Sequence, residues 1–210
     1  MKLRTDKMQF SITSKCNRKC PYCTQGTNFN DHQYDNDYSY LDEMEPYFQD
    51  MEEIVIFGGE PTCHFDFYNY VASIKAIFAP KKYTIWTNGY KFKGNELAFD
   101  LFDQVIVSEY SCNTYKNCPN NKDICDYIRS VITDDRLIVG KVTHEKLVGN
   151  GYNNPCERLD IGPLLYEGKL YTCCTGAGLN IYNCIVPSDT WREDILKLKQ
   201  DCHLCPWAEE

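Results

Sequence analysis

The chain has 210 residues, a formal net charge of −8 and a sequence pI near 5.1, which excludes a general electrostatic hold on nucleic acid. Hydrophobic residues at 43% and charged residues at 25% exclude a disordered chain and allow one full core with a small appendage. The longest apolar runs, such as "EIVIFGG" and "RLIVGKV", fall far short of the roughly 20 residues a membrane-spanning helix needs, and "MKLRTDKMQFSI" has no secretory h-region, so a cytoplasmic location is expected.

Taken in chain order, short β-branched or aromatic runs alternate with longer amphipathic ones. "MQFSITS" (8–14), "EIVIFGG" (53–59), "YTIWTNG" (83–89), "QVIVSEY" (104–110) and "RLIVGKV" (136–142) read as strands, mostly apolar as a sheet covered on both faces demands. Between them "YSYLDEMEPYFQDM", "FYNYVASIKAIF", "NELAFDLF" and "NKDICDYIRSVI" place apolar residues at three- and four-residue steps and read as helices. Such alternation predicts parallel βαβ units, hence an α/β doubly wound sheet or a (β/α) barrel. It stops near residue 148, where "VGNGYNNP" reads as a linker. Beyond it, "IGPLLYEGKLYTCC" predicts a hairpin turning at Glu167-Gly168, and "DTWREDILKLKQD" predicts one capped helix. A sixth strand is expected around "ERLDIG".

Thirteen cysteines are the strongest oddity of the composition. Thiols stay reduced in the cytosol, so metal ligation is a better account of them than disulfides. "CNRKCPYC" places Cys16, Cys20 and Cys23 directly after the first predicted strand. An iron–sulfur cluster normally takes four thiolates, so three from one loop leave one iron open to a non-protein ligand. Structural zinc closes its tetrahedron with four ligands, and His32 is the alternative fourth one here.

The spacing of this triplet, with Tyr22 before its last cysteine, resembles the signature of the radical S-adenosylmethionine (radical SAM) superfamily. "GGEP" at 58–61 after the second strand and "WTNG" at 86–89 after the third are similar to further motifs of that family. The resemblance implies a partial (β/α) barrel of five to six parallel strands over residues 1–148, with a [4Fe–4S] cluster on Cys16, Cys20 and Cys23. Its open iron would chelate SAM, whose reductive cleavage yields a 5′-deoxyadenosyl radical. Gly58, Gly59, Glu60 and Pro61 would hold the SAM amino group, and Tyr22 would lie beside the adenine. Asn88, Ser108, Glu109 and Lys141 fall at strand ends on the same mouth, with Ser108 and Lys141 as donors to the SAM carboxylate or ribose. The glycine-rich motif with a Glu that many relatives carry near the fifth strand is here "LIVGKVTHE", with Glu145 displaced.

In the tail, Cys156 is followed by eleven residues, Gly168, four residues and Cys173, and "CHLC" supplies Cys202 and Cys205. This pattern resembles the Twitch appendage, a shortened SPASM domain, which implies an auxiliary [4Fe–4S] cluster with four cysteine ligands over residues 149–210. A four-cysteine zinc site is the rival. Cys63, Cys112, Cys118, Cys125, Cys174 and Cys184 are left over and read as buried thiols, with Cys63 facing the active site, and His64 reads as a structural histidine.

The resemblance implies hydrogen-atom abstraction from a small polar metabolite, with net oxidation through the second cluster. Modification of a peptide or nucleotide is the alternative, disfavoured for a peptide by the short segment before the first strand. A zinc-stabilised binding module is the alternative of another class. A flavodoxin or ferredoxin is the implied reductant, and Lys15, Arg18 and Lys19, interleaved with the cysteines, are a candidate docking surface for it.

Overall fold

The structure is a computed structural model that describes residues 3–20, 23, 34–110, 120–142, 162–173 and 184–198. Strands β1 (Lys7–Ser11), β2 (Glu53–Phe57), β3 (Tyr83–Thr87), β4 (Gln104–Glu109) and β5 (Leu137–Lys141) alternate with helices α1 (Leu41–Phe48), α2 (Phe67–Phe78), α3 (Glu96–Phe99) and α4 (Lys122–Val131). The tail contributes β6 (Leu164–Tyr166), β7 (Lys169–Tyr171), β8 (Cys184–Ile185) and α5 (Trp191–Lys197). The eight strands among the described residues join one open sheet in the order β5-β4-β3-β2-β1-β6-β7-β8. Neighbours from β5 through β1 to β6 run parallel, and β7 pairs antiparallel with both β6 and β8.

The sixth parallel strand is therefore the first arm of the predicted hairpin. It starts at Leu164, just past the segment expected to hold it, and pairs Leu164 with Gln9 and Leu165 with Phe10. Of "ERLDIG" only Gly162 is described, and that residue explains the strand's position. At φ +92°, a Cβ there would sit 2.4 Å from the Lys7 carbonyl oxygen, so only glycine lets the chain enter so close to β1. The hairpin turn falls at Glu167 and Gly168, both with positive φ, as the sequence predicts.

Strand alternation divides the sheet into two faces. Met8, Phe10, Ile12, Ile54, Ile56, Tyr83, Ile85, Val105 and Val107 share one hydrophobic core with the helices. In α2, Phe67, Tyr70, Val71, Ile74 and Phe78 form the buried stripe, and Ala79 in the left-handed region closes the helix by donating to the Lys75 carbonyl. Helix α5 joins the same core: the Trp191 ring lies against Phe48, and its indole N–H donates to the Tyr47 carbonyl at 2.9 Å. The tail is thus bound to the N-terminal part of the chain by a β-ladder and by a buried tryptophan.

The opposite face is bare of the described helices, although Gln9, Ser11, Val55, Thr84 and Leu164 on it are each at most 3% exposed. One rung across it, read from the ladder registers, comprises Ser11, Phe57, Trp86, Ile106 and Ile138. The rung below is Leu164, Gln9, Val55, Thr84 and Gln104. Phe57 and Trp86 meet edge to face at 5.8 Å, and Ile138 is 44% exposed.

Candidate active site at the mouth of the sheet

The chain leaving β1 is pinned before it reaches the first cysteine. Thr13 bridges to Asp35, and its hydroxyl lies 2.6 Å from that carboxylate. The Lys15 ammonium donates to the other Asp35 oxygen at 2.6 Å, and Ser14 and Tyr34 exchange hydrogen bonds alongside. Burial alone would raise the Asp35 carboxyl, but hydrogen bonds from the Lys15 ammonium and the Thr13 hydroxyl hold it below its usual range.

The turn after β2 presses directly on this segment. The N–H groups of Gly59 and Glu60 donate to the carbonyls of Thr13 and Lys15, both at 2.8 Å. A Cβ on Gly58 would lie 2.5 Å from Thr13 O, and one on Gly59 would lie 2.3 Å from Lys15 O and 2.7 Å from Ser14 O. These glycines exist because two backbones touch. Their sequence motif is legible as a turn, but the close approach shows only in three dimensions.

Glu60 is 1% exposed and ties the turn to β3. Its Oε1 accepts from the Thr62 hydroxyl, the Thr62 N–H and the Thr87 hydroxyl, and its Oε2 accepts from Asn88 N–H at 2.6 Å. Burial raises its carboxyl above the ordinary range, while these donors favour the ionised form. Asn88 in turn reaches back to the cysteine loop, its Nδ2 donating to Asn17 Oδ1 at 2.9 Å. Asn121 extends the network to β4: its Nδ2 donates to the carbonyls of Asn88 (2.8 Å) and Ser108 (2.9 Å), and its Oδ1 accepts from Tyr110 N–H at 2.7 Å. Sequence reasoning did not single out Asn121, because its partners are distant in the chain and no periodic pattern marks it.

Cys16, Cys20 and Cys23 all lie on this loop, with Cys23 N–H donating to Cys20 O and Arg18 N–H donating to the Cys16 sulfur at 3.4 Å. Burial, with smaller effects from Glu60 and the other two thiols, pushes the Cys16 thiol far up. Tyr110 is likewise raised, first by burial and then by its neighbour Cys20. Among the described residues no group of three His, Cys, Asp or Glu side chains is drawn together closely enough to hold a metal ion. The donor set still suits a soft, thiolate-bound cluster: three sulfurs on one loop, with backbone N–H groups at hand.

Arg18 corrects one expectation. It is 3% exposed, with its guanidinium 4.0 Å above the Tyr110 ring, so it faces inward instead of toward a partner. Lys15 is engaged by Asp35, which leaves Lys19 as the exposed cation of the three.

Ser108 and Lys141 are both at the mouth but on opposite faces. The register pairs Ser108 with Gly140 on the bare face and Lys141 with Glu109 on the helix side, where Glu109 meets Arg129. His64 donates from Nε2 to the Asn36 carbonyl at 2.8 Å and accepts Asp66 N–H at Nδ1, so both nitrogens are occupied and it is a structural residue. Cys125 is buried in the core, while Cys63 is half-buried and accepts an N–H from Asn17 of the cysteine loop. Cys184 is half-buried on the bare face beside Tyr171. Cys173 follows β7, which runs antiparallel to β6, and so emerges at the end of the sheet away from the Cys16 loop. Tyr22, His32, Cys112, Cys118, Glu145, Cys156, Cys174, Cys202 and Cys205 lie outside the described residues. Among the described residues no helix is long and apolar enough to cross a membrane.

Residues 10–113 match the family model of the Radical SAM superfamily. Among solved structures, the chain is similar to BtrN in complex with AdoMet and 2-DOIA, at 15% identity over 96% of this chain and 85% of that chain, with a TM-score of 0.66. It is also similar to selenomethionine BtrN in an open conformation, at 14% identity over 96% and 83%, with a TM-score of 0.59. SuiB of Streptococcus suis bound to S-adenosylmethionine matches at 14% identity over 97% and 71%, with a TM-score of 0.44. The two BtrN likenesses support the open, largely parallel sheet. No curated protein matches the chain in sequence.

Proposed function

The chain belongs to the radical SAM superfamily, and from that premise we propose an enzyme that reductively cleaves S-adenosylmethionine and takes a hydrogen atom from a small polar metabolite, oxidising it. The observation that carries this reading is the stitched mouth. Glycines with no room for a Cβ press the turn after β2 onto the Cys16 loop, and Glu60, Asn88 and Asn17 bind that loop to β3. Cys16, Cys20 and Cys23 would hold a [4Fe–4S] cluster. With SAM bound, that cluster supplies the one-electron cleavage that generates the 5′-deoxyadenosyl radical.

The chain's own residues supply rigidity and shielding. The Glu60 carboxylate is engaged by protein donors, so the Gly58–Pro61 turn would meet the SAM ammonium through main-chain carbonyls. Asn88 and Ser108 face the same mouth, and Tyr22 and Lys141 remain candidates for the adenine and carboxylate. The part of the bare face nearest the mouth, where Phe57 and Trp86 are half-buried and Ile138 is 44% exposed, would take a small substrate. Its Phe57–Trp86–Ile106 rung would exclude water from the reacting carbon, while Gln9, Thr84 and Gln104 in the rung below are already bonded to Gly162, Glu53 and Lys82. The bound 2-DOIA of BtrN is in keeping with such a ligand.

Residues 149–210 would form a Twitch-like unit, with Cys156, Cys173, Cys202 and Cys205 holding an auxiliary [4Fe–4S] cluster. The emergence of Cys173 at the far end of the sheet supports this, because a substrate on the bare face would then lie between the two clusters. The cytoplasm is the compartment in which such thiols stay reduced.

Protein purified without oxygen should be brown, carry about eight irons, and release 5′-deoxyadenosine with SAM and dithionite. Cys16→Ala should abolish that release, whereas Cys173→Ala with Cys202→Ala should remove about half the iron and preserve SAM cleavage. Colourless protein containing a single zinc would sink the reading.

A further inference from the structure

The Cys16 loop carries a cation in its own interior. Arg18 stands midway between Cys16 and Cys20, and its main-chain N–H donates to the Cys16 sulfur at 3.4 Å. Its side chain turns inward and lays the guanidinium 4.0 Å from the centroid of the Tyr110 ring. That ring is fixed from behind. Tyr110 N–H donates to Asn121 Oδ1 at 2.7 Å and its carbonyl accepts Asn121 N–H at 3.3 Å, so the end of β4 and the start of α4 hold it together. At its far end the Tyr110 side chain hydrogen-bonds the side chain of Cys20, and the charges of Arg18 and Cys16 also reach it. The buried Cys125 of α4 lies within the field of the same guanidinium. Arg18, Tyr110 and Cys20 thus form one line of contacts, cation on ring and hydroxyl on sulfur, that the chemistry above does not use.

A thiolate-bound iron–sulfur cluster accepts an electron more readily when hydrogen bonds and positive charge reach its sulfurs, because reduction adds a negative charge to a group that is already anionic. A guanidinium withdrawn from solvent exerts that effect with little screening by water. We propose that Arg18 and Tyr110 are positioning residues that raise the reduction potential of the cluster on the Cys16 loop, Tyr110 through its bond to Cys20 and Arg18 through its charge on the same ring. The proposal rests on the radical SAM reading, which is what puts a cluster on these cysteines. The step concerned is the gain of one electron by the cluster from an external one-electron reductant such as dithionite. No proton moves in it, and no bond at Arg18 or Tyr110 breaks.

The test is a redox titration of the anaerobically reconstituted protein, followed by electron paramagnetic resonance on the signal that changes when SAM is added, with iron content as a separate readout. Tyr110→Phe keeps the ring under Arg18 and removes only the hydroxyl, so it should keep its iron and lower the reduced-to-oxidised ratio at a fixed potential by about threefold. Arg18→Met removes the charge but leaves the main-chain bond to Cys16 in place, and should lower that ratio by about tenfold, or about 59 mV for a one-electron couple. Arg18→Lys keeps a cation without the planar stack and should recover most of that loss. Wild-type potentials in Tyr110→Phe and Arg18→Met, each with full iron, would overturn the proposal. So would equal losses in Arg18→Lys and Arg18→Met, which would make the effect one of packing and not of charge. Should Arg18→Met fail to hold iron, a wild-type potential in Tyr110→Phe would by itself overturn it. Wild-type protein that assembles no iron–sulfur cluster would instead overturn the radical SAM reading, and this proposal with it.

Discussion

The two edges of β1 are built on the same device for different ends. At its C-terminal end Gly58 and Gly59 bring β2's turn against Thr13, Ser14 and Lys15, and at its N-terminal end Gly162 brings β6 against Lys7. Each contact would place a Cβ within 2.5 Å of a carbonyl oxygen. The first contact shapes the loop that carries three cysteines, and the second attaches the tail to the sheet. Identical steric logic therefore serves chemistry on one edge and assembly on the other, and substitution should separate the two.

Gly59→Ala should have the largest effect. Displacing the Cys16 loop by the half-ångström or more a Cβ demands should lower dithionite-driven SAM cleavage by about 100-fold, as misplacement of a reacting group on that scale does. Its catalytic iron should also fall. Gly162→Ala should give the opposite pattern, costing roughly 2–3 kcal/mol of stability by overpacking and strain while iron on the Cys16 loop and SAM cleavage persist. If both variants lost catalytic iron equally, the division of labour between the edges would be wrong.

Asn121→Ala tests the stitching one strand further on. It leaves the Asn88 and Ser108 carbonyls and the Tyr110 N–H without their partner, and should cost about 2 kcal/mol, a drop of roughly 5 °C in Tm. The smallest effect concerns Asp35, whose folded carboxyl is held below its ordinary value of 3.8. A depressed folded value means that its contribution is complete above about pH 4 and lost as pH falls through the folded value. Asp35→Asn should therefore cost about 1 kcal/mol near neutrality and flatten the acid limb of a denaturation profile, while changing little of that limb's onset from other groups.

Much of this architecture was legible from periodicity. The stretch 67–78 was predicted as a helix and forms α2 from end to end; four of the five core strands fall within the predicted runs, and β1 starts one residue before its own. Other helices came out shorter. The run 38–51 is helical only over Leu41–Phe48, with Gln49 extended and Asp50 at positive φ. The triplet of cysteines and "GGEP" were visible because their residue types are unusual at that spacing. What periodicity does not carry is pairing between distant segments. Hence the pairing of β6 with β1, the network around Asn121 and the burial of Arg18 on Tyr110 were not legible. Each of these depends on a partner brought near by the fold, and a local pattern has no means of encoding that partner.

The seating of β6 against β1 also has a consequence for synthesis. Gln9 finds its Gly162 partner across a separation of 153 residues, so one flank of the earliest strand stays unpaired while most of the chain is being made. An open strand edge of that kind invites intermolecular pairing, and so remote a closure slows folding. Chains truncated before residue 162 should thus be the aggregation-prone species, and truncation after Tyr166 should relieve it.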